Sequence, residues 1–272
     1  MLRPAIRLGA LPVILAEIFS IATFAFGQNV DVRAYVGSAV SPSANVPRQR
    51  SDDDPDEASS LIVTGDFNRD GIADIAKITS RTDGPSQSNY LTVLLGQTNG
   101  TYRALTSKLA PGRTPRAMVS GDFNNDGVLD LIIGDEDGTL TLFLGDGTGS
   151  FSAIHEIAHL DSIVSIAVAD FNKDGILDVA ISDWRAGSVT VLLGTGKASF
   201  DHMWSFPLRM RATKPHIAVA DFNGDGIPDI AVVYGQDEEE TFDVMLGNGN
   251  GTFTISPERG FTRDPNSHCN TL

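Results

Sequence analysis

Between about residue 61 and residue 256 the chain is a series of short apolar runs separated by polar, glycine-rich breaks. Ile217-Ala218-Val219-Ala220 is one such run, and Ile230-Ala231-Val232-Val233 follows it after a polar interval. Runs this short, rich in β-branched residues and bounded by turn formers, predict buried strands rather than helices. A third run recurs as Leu91-Thr92-Val93-Leu94-Leu95, Leu140-Thr141-Leu142-Phe143-Leu144, Val189-Thr190-Val191-Leu192-Leu193 and Phe242-Asp243-Val244-Met245-Leu246. Each ends at a glycine (Gly96, Gly145, Gly194, Gly247), and an aromatic stands shortly after it (Tyr102, Phe151, Phe200, Phe253), opening a fourth, more polar strand. The unit of four strands repeats about every 50 residues, the signature of propeller blades. The expected fold is therefore all-β, a β-propeller of four-stranded blades over residues 61–256 with four repeats visible.

Between the first two strands of every unit lies a polar loop of one pattern, D-F-N-x-D-G-x-x-D, starting at Asp66, Asp122, Asp170 and Asp221. It puts carboxylate or amide oxygens at positions 1, 3, 5 and 9 and glycine at 6, as the first nine positions of a calcium-binding loop do. Oxygen donors suit a hard cation, and the glycine permits the positive φ that folds the loop back. Asx-rich turns alone would not hold four oxygen donors in one register. Position 4, where no ligand is expected, varies freely as Arg69, Asn125, Lys173 and Gly224.

The loop, led by an apolar strand and followed by a strand ending L-L-G, resembles the FG-GAP or VCBS repeat of integrin α-chain propellers and many exported bacterial proteins. The resemblance covers roughly residues 61–256. It implies calcium held by side chains at positions 1, 3, 5 and 9 and by the carbonyl at 7. The first set is then Asp66, Asn68, Asp70, Ile72 (carbonyl) and Asp74; the second Asp122, Asn124, Asp126, Val128 (carbonyl) and Asp130. The third is Asp170, Asn172, Asp174, Ile176 (carbonyl) and Asp178; the fourth Asp221, Asn223, Asp225, Ile227 (carbonyl) and Asp229. Up to four Ca2+ ions are implied. Integrin-type propellers have seven blades, and this chain shows four repeats. A compact four-bladed ring is the expectation; the alternatives are an open arc with exposed end blades or pairing with another copy.

The ends read differently. Arg3 and Arg7, the apolar stretch Leu8 to Phe26 and the small residues of Ala25-Phe26-Gly27 make residues 1–27 a signal peptide cut before Gln28. Pro12 and Glu17 interrupt the apolar run, so cleavage is expected rather than a membrane span. An uncleaved anchor is the alternative. Residues 28–60, with the run Ser51-Asp52-Asp53-Asp54-Pro55-Asp56-Glu57, read as a flexible acidic linker, and residues 257–272 as a polar tail. Within the repeats, Ser80 to Asn89 is expected to be irregular, and it and Asp237 to Glu240 to form exposed hairpin tips.

Composition narrows the function. The chain of 272 residues carries a formal charge of −15, which argues against nucleic acid as a partner. Its one cysteine, Cys269, excludes an intrachain disulfide, so in an exported protein ions would staple the loops. His155-Glu156-Ile157-Ala158-His159 matches the zinc-protease motif H-E-x-x-H, but follows Phe151 where a strand is expected. Along a strand the two histidines would stand about 13 Å apart, too far to share one ion, and Ser165 stands where a third ligand would be needed. Gly145 to Gly149 and Gly247 to Gly251 lack the lysine and helix of a phosphate cradle and read as hairpin turns. Position 12 of the loops is Lys77, Ile133, Ile181 and Val232, which excludes an EF-hand. Trp184, in a turn, offers a face to stack on a sugar, with a packing role as the alternative of at least equal weight. With no nucleophile–base pair in view, the expected function is a non-enzymatic module for adhesion or protein contact, secreted or located in the periplasm or at the cell surface. A carbohydrate-binding, lectin-like propeller is the alternative and a polysaccharide-active enzyme a weaker one. The partner is then a protein or carbohydrate outside the cell, with self-association open.

Overall fold

The computed structural model describes residues 61–83, 86–110, 114–208, 213–236 and 239–256; the signal, linker and tail expected from the sequence lie outside them. Sixteen strands form four sheets, each an antiparallel four-stranded meander in chain order. Blade 1 is β1 (Leu61–Gly65), β2 (Asp74–Asp83), β3 (Ser86–Gly96) and β4 (Tyr102–Lys108). Blade 2 is β5 (Pro115–Gly121), β6 (Asp130–Asp135), β7 (Thr139–Gly145) and β8 (Phe151–His159). Blade 3 is β9 (Ile163–Ala169), β10 (Asp178–Asp183), β11 (Ser188–Gly194) and β12 (Phe200–Pro207). Blade 4 is β13 (Thr213–Ala220), β14 (Asp229–Gln236), β15 (Glu239–Gly247) and β16 (Phe253–Ile255). The aromatic expected to open each fourth strand is its first residue in all four blades.

Burial along the strands reports how the blades stack. β6 and β10 are buried along their whole length, because each lies in a sheet covered on both faces. β1 alternates between half-buried and exposed, because only one of its faces is covered. Three apolar clusters fill the three spaces between successive blades. Ala76, Ile78, Leu91, Val93 and Leu95 of blade 1 meet Met118, Leu131 and Ile133 of blade 2. Ile132, Leu140 and Leu142 of blade 2 meet Ile163, Ile166, Val179, Ile181 and Leu192 of blade 3. Ala180, Val189 and Val191 of blade 3 meet Ile217, Ile230, Val232 and Met245 of blade 4.

The inner strands follow the same order. β1 packs on β5, β5 on β9 and β9 on β13, and no comparable packing joins β13 back to β1 among the described residues. The compact ring expected from the repeat count is therefore corrected to an open arc. Its physical reason lies in the end blades, whose outer faces meet no fourth cluster among the described residues.

Two further expectations change. Ser80 to Asn89 is not irregular: β2 and β3 continue through it, pairing Ser80 with Asn89, Arg81 with Ser88 and Asp83 with Ser86. Ser88 and Asn89 are buried rather than exposed. In blade 4 the hairpin turns where it was expected, with Gln236 paired to Glu239 and Gly235 to Glu240. The H-E-x-x-H stretch is strand, as expected: His155 pairs with Leu142 and His159 with Thr139 in the β7–β8 ladder.

Candidate metal centres

Each D-F-N-x-D-G-x-x-D loop joins the first two strands of its blade and folds on itself by the same bonds. In blade 1 the Asp70 N–H donates to Asp66 Oδ1 and to Asn68 Oδ1, both at 3.1 Å, so these two oxygens converge on one point. The Gly71 N–H donates to Asp66 Oδ2 at 2.9 Å, the Ile72 N–H to Asp70 Oδ1 at 2.8 Å, and Asn68 Nδ2 to Asp70 Oδ2 at 2.9 Å. Asp122, Asn124 and Asp126 repeat the set, as do Asp170, Asn172 and Asp174, and Asp221, Asn223 and Asp225. Positions 1, 3 and 5 are thus brought together in every blade. The glycine at position 6 carries a positive φ in all four, at 81° in Gly71 and 80° in Gly127, which a side chain would strain.

Position 9 has a structural use that the sequence did not reveal. Asp74, Asp130, Asp178 and Asp229 are 0% exposed. One carboxylate oxygen accepts the N–H of the loop phenylalanine and the other the N–H of the glycine ending the third strand. For Asp178 these are Phe171 and Gly194, both at 2.8 Å. Asp74 bonds Phe67 and Gly96 at 2.9 and 2.7 Å, Asp130 bonds Phe123 and Gly145 at 3.0 and 3.0 Å, and Asp229 bonds Phe222 and Gly247 at 2.9 and 2.7 Å. The same contact explains why glycine ends every third strand. A Cβ on Gly194 would lie 2.2 Å from the Leu177 carbonyl oxygen, and one on Gly145 2.3 Å from that of Leu129.

Burial sets the electrostatics of these carboxylates. It pushes Asp130 and Asp178 up to about 6 and raises Asp74, against the pull of their two N–H donors. The carboxylates at positions 5 and 1 of the same loop add to the rise. By contrast the Gly226 N–H, with other loop amides, holds exposed Asp221 below the usual carboxylate range.

The donor chemistry fits a hard cation. Three carboxylates and an amide oxygen lie within one nine-residue loop, and their mutual repulsion is of the kind a divalent ion relieves. The fit is not a finished cage. Among the described residues no three His, Cys, Asp or Glu side chains already converge as a metal set. The position-9 carboxylates are turned inward onto backbone N–H groups, and those at positions 1 and 5 are engaged within the loop.

Position 4 does not vary idly. Arg69, Asn125 and Lys173 all hold positive φ, at 59°, 59° and 63°. They project onto the β3–β4-type hairpin of the following blade, where Cβ atoms on Gly147, Gly196 and Gly249 would meet them at 3.5, 2.8 and 3.7 Å. Backbone bonds make the same step: Gly149, Ala198 and Gly251 donate to the carbonyls of Phe67, Phe123 and Phe171 in the preceding blade. The first three loops are therefore also blade-to-blade joints. The only clue in the sequence was a long or amide side chain at position 4 of the first three loops and glycine in the fourth.

Elsewhere, the glycine-rich turns are hairpin turns, with the Thr148 hydroxyl and N–H donating to Asp146 at 2.7 and 2.8 Å. Trp184 is partly exposed in the turn between β10 and β11. Among the described residues, no helix is long and apolar enough to cross a membrane.

The family model of the FG-GAP-like repeat matches the chain four times, over residues 66–133, 122–181, 177–232 and 221–271. No curated protein matches it. Among solved structures, the fucose-specific lectin from Aleuria aurantia aligns with a TM-score of 0.47 and 13% identity, over 72% of this chain and 60% of that one. A mutant of that lectin in complex with Fucalpha1-6GlcNAc aligns with 0.47 and 13%, over 77% and 64%. BBS1N, from its complex with ARL6DN, aligns with 0.36 and 12%, over 73% and 81%. The chain spans less than two thirds of the length of the lectin chains.

Proposed function

This chain belongs to the FG-GAP-like repeat family, and from that premise we propose that it is an exported, calcium-binding propeller that acts as a non-enzymatic module for binding a protein outside the cell. The observation that carries the calcium reading is the fourfold loop. Oxygens at positions 1 and 3 share one N–H donor in every blade, and the position-5 carboxylate is bonded into the same turn. The side chains at positions 1, 3 and 5, the carbonyl at 7 and the carboxylate at 9 would hold the ion, as the family resemblance implies. Bound calcium supplies positive charge to a turn of three carboxylates. Because the first three loops also contact the next blade, order in these loops is order in the arc.

The test is metal analysis with thermal melting. Calcium at 100 times its Kd adds about 2.7 kcal/mol per site if it binds only the folded state, so chelation should lower the melting temperature by several degrees. A protein that contains no calcium and melts unchanged in chelator sinks the reading. Export is checked by the mass of the protein recovered outside the cytoplasm, which on this reading begins at Gln28.

A second reading, carbohydrate binding, is favoured by one observation. A cleft of about 340 Å3 lies between blades 1 and 2. Leu91, Ile133 and Phe143 give it an apolar wall and Asn89, Ser107 and Lys108 a polar one, a mixture that suits a sugar ring with one apolar face. A glycan array without binding would remove it.

A further inference from the structure

The outer faces of the two end blades repeat the faces that meet three times inside the arc. On the side turned to the next blade, blades 1, 2 and 3 present Leu91 and Val93, Leu140 and Leu142, and Val189 and Val191, all buried. Blade 4 presents Phe242 and Val244 at the same register positions, and both are only half-buried. On the side turned to the preceding blade, Leu131, Val179 and Ile230 are buried, whereas Ile75 of blade 1 is half-buried and Ile62, the counterpart of Met118, is exposed.

The aromatic pairs at the rim show the same break. Phe67, Phe123 and Phe171 lie against Phe151, Phe200 and Phe253 of the following blade, with ring centroids 5.5, 6.1 and 5.4 Å apart. The next pair in this series is Phe222 of blade 4 and Tyr102 of blade 1. Within the chain they do not meet: Phe222 is 37% exposed and Tyr102 53%.

We propose that a second copy of this chain covers these faces, blade 4 of each copy packing on blade 1 of the other as successive blades pack within the arc. The inference is independent of calcium. Two positions argue for the chain itself as the occupant. Leu91 and Ile133 line the same cleft between blades 1 and 2. At the register of Leu91 only blade 4 has an aromatic, Phe242; at the register of Ile133 only blade 1 has a cation, Lys77. Joining blade 4 to blade 1 therefore brings a lysine over a phenylalanine where the internal joints have two aliphatic side chains. That is a cation–π pair, and the lysine stem lies along the apolar face while its ammonium reaches the rim. The two departures from the repeat pattern fit each other and no internal joint. Such a contact is head-to-tail, and two copies close when each arc spans half of the ring, which the proposal takes it to do. The product is a ring of eight blades, at the upper end of the range propellers take.

Sedimentation equilibrium of the full chain tests this, with circular dichroism to confirm that each variant is folded. The wild type should sediment as a dimer at micromolar concentration. Phe242→Lys should weaken the dimer at least tenfold by setting two ammonium groups together, and adding Lys77→Glu should restore it. A variant that had merely misfolded would not be rescued this way. A wild-type monomer overturns the proposal, whether the faces stay open or residues 1–60 or 257–272 of the same chain cover them. A dimer unaffected by Phe242→Lys, or one that Lys77→Glu fails to restore, also overturns it.

Discussion

Replacing Asp178 by alanine separates the backbone strut from the proposed ligand role of the position-9 carboxylate. Its oxygens accept the Phe171 and Gly194 N–H groups at 2.8 Å in a site with no exposure. Alanine leaves both donors buried without an acceptor, at about 1–3 kcal/mol each. Removing the carboxylate also relieves part of its burial penalty, the penalty that pushes it up to about 6. The net loss should be about 2–4 kcal/mol, and for a domain of this size each kcal/mol lowers the melting temperature by roughly 2–4 °C. The loss must persist in chelator, because the bonds are to backbone and not to an ion. Asp174→Ala is the control. Its oxygens accept exposed loop donors, Ile176 N–H at 2.8 Å and Asn172 Nδ2 at 2.9 Å, which water can satisfy when the carboxylate is gone. In chelator it should cost less than about 1 kcal/mol, yet in calcium it should abolish that site's stabilisation. The assay is urea unfolding of both variants with calcium and with chelator. If Asp178→Ala matches wild type in chelator, the residue acts only as a ligand and the strut argument is wrong.

Gly194→Ala should destabilise by about 1–3 kcal/mol, since its Cβ would stand 2.2 Å from the Leu177 carbonyl oxygen and the loop would have to give way; an unchanged urea midpoint would contradict the close approach. In calcium-free protein, burial raises the folded-state Asp130 and Asp178 carboxyls from 3.8 to about 6. Their contribution is therefore fully present below pH 3.8 and lost as pH rises through about 6. Relative to a variant with asparagine at both positions, the wild-type urea midpoint should fall between pH 5 and pH 7; a relative rise over that window would refute the assignment.

The strands, their number and the loops were legible because they rest on local rules. A β-branched run between glycine-rich breaks forms a strand wherever it sits, and D-F-N-x-D-G folds on its own amides. Four copies of one pattern made the blade, and the family followed from it. The strut role of Asp178 was not legible, because a metal ligand, as the resemblance implies, and a backbone strut call for the same residue at the same place. Only the return of β11 brings the Gly194 N–H to its second oxygen. The contact role of position 4 was not legible either: Arg69, Asn125 and Lys173 reach a hairpin that lies in the next blade. The shape of the whole depended on tertiary structure most of all. Each internal blade carries the same two apolar faces, and that pattern serves a closed ring and an open arc equally well. What separates them is the turn from one blade to the next, which belongs to the packing between blades, Phe67 on Phe151 included, and which no single repeat encodes. Lys77, Phe242 and Gly224 were visible in the chain as departures from the repeat, but only the uncovered end faces give those departures a physical meaning.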